Sequence, residues 1–251
     1  MHFPSGGRFV SVVIPCLNEE ETIGRVVREV LAQGVDETIV VDNGSTDRTA
    51  NKAAAAGARV VSEPQRGYGR ACAAGLNAVR PDADVVCFLD GDGSDVPAFM
   101  RAIVGPIASG EADFVIGSRM RGRREPGSLT PQQLLAGRIA SVLLHLAYGV
   151  RMTDMSPFRA IRSDRLRALG MREQTYGWNL EMQMRVAAAR LRIEEIPVDH
   201  RRRQGGVSKV SGNLLAGLNA AWKITTTFLR LAVTLRETPR RRLYPQPTTE
   251  P

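Results

Sequence analysis

Five short apolar runs recur along the first half of the chain, and a stretch with helical spacing follows each of the first four. FVSVVIP (9–15), ETIVVD (37–42), ARVVS (58–62), DVVCFLD (84–90) and ADFVIGS (112–118) read as strands. TIGRVVREVLAQ (22–33) sets Ile23, Val26, Val27, Val30 and Leu31 on one helical face and stops at Gly34. Further helices are expected from Thr46 to Gly57, over YGRACAAGLNAVR (68–80) and over PAFMRAIVGPIA (97–108). Continuous apolar strands alternating with helices demand an α/β fold, a mostly parallel sheet with helices on both faces. In such sheets ligands bind beyond the carboxyl ends of the strands. Those ends read Pro15-Cys16-Leu17-Asn18-Glu19, Asp42-Asn43-Gly44-Ser45, Glu63-Pro64 and Asp90-Gly91-Asp92, so polar residues collect where a ligand is expected.

After Ser118 the alternation loosens. RMRGRREPGS (119–128) is a basic loop and PQQLLAGRIASVLLHLAYG (131–149) a helix. FRAIRSD (158–164) is a short strand, NLEMQMRVAAARL (179–191) a helix and RIEEIPVDH (192–200) a strand. RRRQGGVSK (201–209) is a second basic loop. The expected organisation is a catalytic domain over 1–210, a C-terminal amphipathic helix over 211–236 and a disordered Pro- and Arg-rich tail over 237–251. On that last helix Leu214, Leu215, Leu218, Ala221, Trp222, Thr225, Leu229 and Ala232 form one broad apolar side, suited either to a membrane surface or to protein.

The formal charge of +8 favours an anionic partner. Nucleic acid is set aside, because the arginines fall in separate clusters and aromatics make up only 5% of the chain. The three scattered cysteines, Cys16, Cys72 and Cys87, suggest a reducing compartment without a disulfide framework. No signal peptide is read at the N-terminus. The longest apolar stretch, 214–233, is interrupted by Asn219, Lys223 and Arg230, so no clean membrane span is expected. The expected location is cytoplasmic, with peripheral contact at the cytoplasmic face of the membrane left open.

The chemistry concentrates in DGDGSD (90–95). Two carboxylates one residue apart on a tight turn offer hard oxygen ligands to Mg²⁺ or Mn²⁺, and Gly91 and Gly93 let phosphate oxygens approach the backbone. A solvated Asp-Gly turn is the plain alternative. A calcium EF-hand is excluded, since Arg101 stands at the twelfth loop position and no helix precedes the loop.

In order and spacing, VVIPCLNEEETI (12–23), IVVDNGSTDRT (39–49), RGYGRACAAGLNA (66–78), FLDGDGSD (88–95) and GEADFVIGSR (110–119) resemble the family 2 glycosyltransferases, inverting enzymes of the GT-A fold. The resemblance runs to about Lys209. TDMSPFRAIRSD (153–164) and RRRQGGVSK (201–209) look like the polyprenyl-phosphate sugar synthases within that family, the dolichyl-phosphate mannose synthase type. The resemblance implies that Pro15, Asn18, Glu19, Asp42, Gly67 and Arg70 shape a nucleotide-sugar pocket. Asp90 would face the ribose and sugar, and Asp92, with Asp90, would hold the metal. Arg119, Arg138, Arg203, Ser208 and Lys209 would meet donor or acceptor phosphates. Glu181 and Asp154 are the candidates for a general base; Glu181 could instead be a surface helix residue, and Asp154 could instead orient Arg159 or Arg203. Two positions depart from the family pattern: Asn43 stands where a second aspartate is usual, and Ser94 where a glutamine is frequent.

The implied activity is transfer of a hexose from a nucleoside-diphosphate sugar, GDP-mannose or UDP-glucose, to polyprenyl phosphate, with a soluble acceptor or non-catalytic nucleotide-sugar binding as alternatives. A homo-oligomer is left open.

Overall fold

The structure is a computed structural model and describes residues 7–205 and 214–237. Seven strands form one sheet: β1 (Val10–Cys16), β2 (Glu37–Asp42), β3 (Arg59–Ser62), β4 (Val85–Phe88), β5 (Phe114–Ser118), β6 (Arg159–Arg162) and β7 (Ile193–Pro197). Their spatial order is β3-β2-β1-β4-β6-β5-β7. All pairings are parallel except those of β6, which runs antiparallel to both β4 and β5. The β-α alternation read from the sequence therefore builds the left of the sheet, and the looser second half inserts one reversed strand into its middle.

Among the described residues eight α-helices flank the sheet: α1 (Ile23–Leu31), α2 (Thr49–Ala55), α3 (Tyr68–Ala78), α4 (Met100–Ala108), α5 (Pro131–Tyr148), α6 (Ser163–Leu169), α7 (Trp178–Ala188) and α8 (Leu214–Glu237). Helix α6 was not expected; its seven residues are too short to carry a helical period. Successive strand residues point to opposite faces, so Val13, Val86 and Phe88 enter one core with α3, α5, α7 and α8. Val12, Ile14, Val85 and Cys87 enter the other with α1 and α4. Pro15 is tolerated in a central strand because β4 pairs with β1 only as far as Val13, so Pro15 has a sheet neighbour on one side alone.

Of the apolar side expected on α8, Trp222 and Leu229 are exposed and Thr225 and Ala232 half-buried, while the side chains of Leu214, Leu215, Leu218 and Ala221 lie outside what the structure describes. Phe228, Leu231 and Leu235 are buried, at helical spacing, while Trp222, Leu229 and Val233 are exposed. Helix α8 lies against α5 and α7, and the packed surface selects Phe228, Leu231 and Leu235 in place of Trp222 and Leu229. No helix of the described residues is long and apolar enough to cross a membrane. The tail expected over 237–251 lies outside the described residues from 238 onward.

Helix α3 comes close to the sheet at Gly75, where an added Cβ would stand 2.3 Å from Val13 Cγ1 and 3.0 Å from Val41 Cγ2. Gly75→Ala is expected to lower the unfolding free energy by about 1–3 kcal/mol in urea titration, because the steric cost outweighs the helix-propensity gain of about 1 kcal/mol.

Candidate active site

Strand β4 ends at Phe88, and the chain then turns sharply through Asp90-Gly91-Asp92-Gly93-Ser94-Asp95. Gly91 lets this turn press against β1: a Cβ there would lie 2.3 Å from Cys16 Sγ. Gly93 has φ +75°, a left-handed conformation that suits glycine. The turn is internally bonded. Asp92 Oδ1 accepts from Ser94 N at 2.9 Å and Ser94 Oγ at 2.6 Å, and Asp95 Oδ2 accepts from Asp90 N at 3.0 Å. Ser94, at the position that departs from the family pattern, thus orients the metal-candidate carboxylate directly.

Asp90 accepts a hydrogen bond from Tyr68 Oη at 3.1 Å. Burial, reinforced by the charges of Asp92 and Asp95, pushes the Asp90 carboxyl up to about 8. Burial and then Asp90 likewise push the Tyr68 phenol upward. The turn thus gathers more negative charge than its surroundings neutralise, and a divalent cation would relieve that excess. Among the described residues no three His, Cys, Asp or Glu side chains could together hold a metal. The donor set fits a hard cation bound by one or two carboxylates and completed by water and diphosphate oxygens.

Asn18, Glu19 and Asp42 converge on the neighbouring strand ends. Asn18, at φ +55°, accepts from Thr46 N at 2.8 Å and donates its own N–H to Ser45 Oγ at 2.9 Å. Asp42 accepts from Ser45 N at 3.1 Å. Glu19 is buried; its N–H donates to Thr49 Oγ1 at 2.8 Å, and its carboxylate meets Arg203 at 3.0 Å. Arg203 also reaches Asp92 at 3.1 Å, so this arginine stands on acidic side chains of the cleft.

Asn43 explains its departure from the aspartate pattern. Its Nδ2 donates to Glu63 O at 2.9 Å and Gln65 O at 2.8 Å, and its Oδ1 accepts from Gly67 N at 2.8 Å. An aspartate has no N–H to offer those two carbonyls. Gly67 is thereby fixed at the start of α3, and a Cβ on it would stand 2.4 Å from Gln174 O. Its glycine requirement comes from this backbone approach. Arg70 donates to Gln65 Oε1 at 2.6 Å and its N–H to Gln174 O at 3.1 Å.

Both general-base candidates are committed elsewhere. Glu181 is fully buried, accepts the N–H groups of Arg172 and Glu173, and pairs with Arg185 at 2.8 Å. It is not a surface residue; it holds the 172–173 backbone beside α7. Asp154 grips Arg119 through two side-chain contacts of 2.7 and 2.8 Å and accepts Arg119 N at 2.9 Å. Burial would raise its carboxyl, but Arg119 and these N–H groups hold it below the usual carboxylate range. Asp154 therefore orients Arg119, not Arg159 or Arg203. Arg138 is exposed on α5 and makes no ion pair among the described residues. Ser208 and Lys209 lie outside the described residues.

Several site residues escaped sequence reasoning. Asp95 and His200 face each other at 3.7 Å, both buried, through an isolated antiparallel bridge that ties the acidic turn to the segment after β7. Arg159, opposite Phe88 in the β4–β6 register, is fully buried, with its guanidinium 5.3 Å from the Phe88 ring centroid. Tyr176 stacks on Tyr68 at 6.5 Å between centroids. Each depends on contacts between residues far apart in sequence. Asp95, Arg159 and His200 fell within strings that the sequence had already marked, but without these contacts.

The model of the family described as "Glycosyl transferase family 2" matches residues 11–170. An uncharacterized glycosyltransferase of Mycobacterium tuberculosis is 38% identical over 222 residues, covering 87% of this chain and 98% of that protein. The glucosyl-3-phosphoglycerate synthase of Mycolicibacterium smegmatis is 45% identical over 113 residues, 40% of this chain and 37% of that protein. The crystal structure of glucosyl-3-phosphoglycerate synthase from M. tuberculosis in complex with Mn²⁺, uridine diphosphate and phosphoglyceric acid superposes with a TM-score of 0.70 at 28% identity, covering 90% of this chain and 79% of that one.

Two outcomes follow from the geometry. Glu181→Ala is expected to lose about 3–5 kcal/mol of stability by denaturant titration, since it strands the buried Arg185. A Glu181→Gln variant of unchanged stability and abolished turnover would instead mark a catalytic carboxylate. Asn43→Asp is expected to cost about 1–3 kcal/mol on the same measurement, through two unsatisfied carbonyls.

Proposed function

The chain belongs to glycosyl transferase family 2, and we propose that it moves a hexose from UDP-hexose to a small phosphate-bearing acceptor, with inversion and with Mg²⁺ or Mn²⁺. The observation that carries this reading is the acidic turn at the carboxyl end of β4, set in a fold whose relative is crystallised with Mn²⁺ and uridine diphosphate. The proteins compared above that have a named acceptor act on phosphoglycerate, which favours a soluble phosphorylated acid over a polyprenyl phosphate.

In this mechanism the nucleotide lies across the ends of β1, β2 and β4, against Asn18, Glu19 and Asp42. Asp92 would hold the cation, which when bound would supply positive charge to answer what develops on the leaving diphosphate. Tyr68 fixes Asp90 toward the sugar. Arg119, held in one orientation by Asp154, draws the anionic acceptor to the anomeric carbon, offsetting the repulsion between two anionic reactants. The acceptor oxygen forms the new bond on the face opposite the departing uridine diphosphate. With Glu181 and Asp154 both engaged, an acceptor whose own phosphate takes up the proton, or whose attacking oxygen is already anionic, suits the site best.

A second reading, polyprenyl phosphate as acceptor, is favoured by one observation. Leu135, Val142 and Leu146 on α5 and Trp222, Leu229 and Val233 on α8 are exposed large apolar side chains on two helices that pack together.

Incubation with radiolabelled UDP-glucose and Mn²⁺ tests both. Label entering a water-soluble phosphorylated product with 3-phosphoglycerate supports the main reading. Label entering the organic phase only with polyprenyl phosphate supports the second. Asp92→Asn is expected to reduce transfer at least about a hundredfold at saturating Mn²⁺, and unimpaired transfer contradicts the proposal. Burial and the charges of Asp92 and Asp95 raise the Asp90 carboxyl to about 8, so a cation held beside it would favour loss of its proton. Mn²⁺ affinity measured by calorimetry is therefore expected to rise from about pH 6 to about pH 8.

A further inference from the structure

On the reading that Asp92 holds a divalent cation, we infer that Arg203 competes with that cation for the carboxylate and that a nucleoside diphosphate relieves the competition. Arg203 Nε lies 3.1 Å from Asp92 Oδ2, and Nη2 lies 3.0 Å from Glu19 Oε1. Both carboxylates are buried, Glu19 at 5% and Asp92 at 8% exposure. Ser94 takes the other Asp92 oxygen through its N–H and its hydroxyl. Oδ2 is therefore the oxygen that a cation has to share with the guanidinium.

The segment carrying Arg203 is strapped onto the acidic turn by its backbone. Arg201 N donates to Ser94 O at 2.8 Å, and Gln204 N to Asp92 O at 3.3 Å. The Gln204 side chain accepts from Arg25. Gly205 lies so close to α1 that a Cβ would meet Glu21 Oε2 at 2.8 Å. These contacts keep the Arg203 backbone over the turn. Two positive charges on one carboxylate oxygen repel, so the cation and the guanidinium do not share Oδ2 at full strength. A diphosphate offers the guanidinium fork a second, geometrically matched anion. Arg203 then passes from Asp92 to the nucleotide, and the cation takes Oδ2. Metal and nucleotide binding are coupled through one side chain, and the coupling is reciprocal.

A purely structural latch, or a residue that only binds phosphate, gives a different signature: its removal leaves affinity for metal alone unchanged or weaker. Calorimetric titration of the full chain with Mn²⁺, with and without UDP, separates these. Arg203→Gln is expected to bind Mn²⁺ alone at least about tenfold more tightly than the unsubstituted chain, and UDP is expected to enhance its Mn²⁺ binding by a smaller factor. Arg203→Lys keeps the charge and is expected to stay weak toward Mn²⁺ alone. The inference is overturned if Arg203→Gln binds Mn²⁺ no more tightly, or if Arg203→Lys gains as much as Arg203→Gln. Asp92→Asn is the control: Mn²⁺ affinity that survives it overturns the placement of the cation itself, a failure separate from any fault in the role of Arg203.

Discussion

Crowded negative charge at the end of one buried strand governs this structure. Asp90, Asp92 and Asp95 follow β4 within a single turn; Asp92 and Asp95 are buried and Asp90 is half-buried. Each is restrained by something different. A phenol holds Asp90, a serine and an arginine hold Asp92, and a backbone N–H and a facing histidine hold Asp95. Such a cluster costs stability unless cations answer it. That cost is the physical reason to expect a ligand here: the fold has prepared a place for positive charge and satisfied it only in part.

The surrounding carboxylates divide into two kinds. Asp154 and Glu181 have several N–H partners and an arginine each. Among the described residues Asp90 has only a phenol as its partner, and Asp92 shares its one arginine with Glu19. Burial alone does not distinguish the two kinds; the partners do. The same logic gives Asn43 its place, since three hydrogen bonds from one amide fix the loop that leads into α3.

Much of this was legible in the sequence, for identifiable reasons. The β-α alternation, the strand-end clusters and the acidic turn are local patterns, and local patterns survive reading in one dimension. Strand β6 was recognised, but its reversed direction depends on its pairing with β4 and β5. Which residues of α8 meet protein is set by α5 and α7, which bury Phe228, Leu231 and Leu235. Arg185 stands four residues after Glu181 on the same helix, a spacing visible in the sequence, whereas the partner of Asp154, Arg119, is brought to it only by the fold. Likewise, the Asp95–His200 contact joins residues more than a hundred positions apart.

The most direct measurement is a crystal of the chain grown with Mn²⁺ and uridine diphosphate and recorded at the manganese absorption edge. The account predicts one anomalous peak bridging Asp92 and the diphosphate, with the Arg203 guanidinium moved onto phosphate oxygens. A nucleotide bound at the sheet edge with no manganese at Asp92 would contradict it.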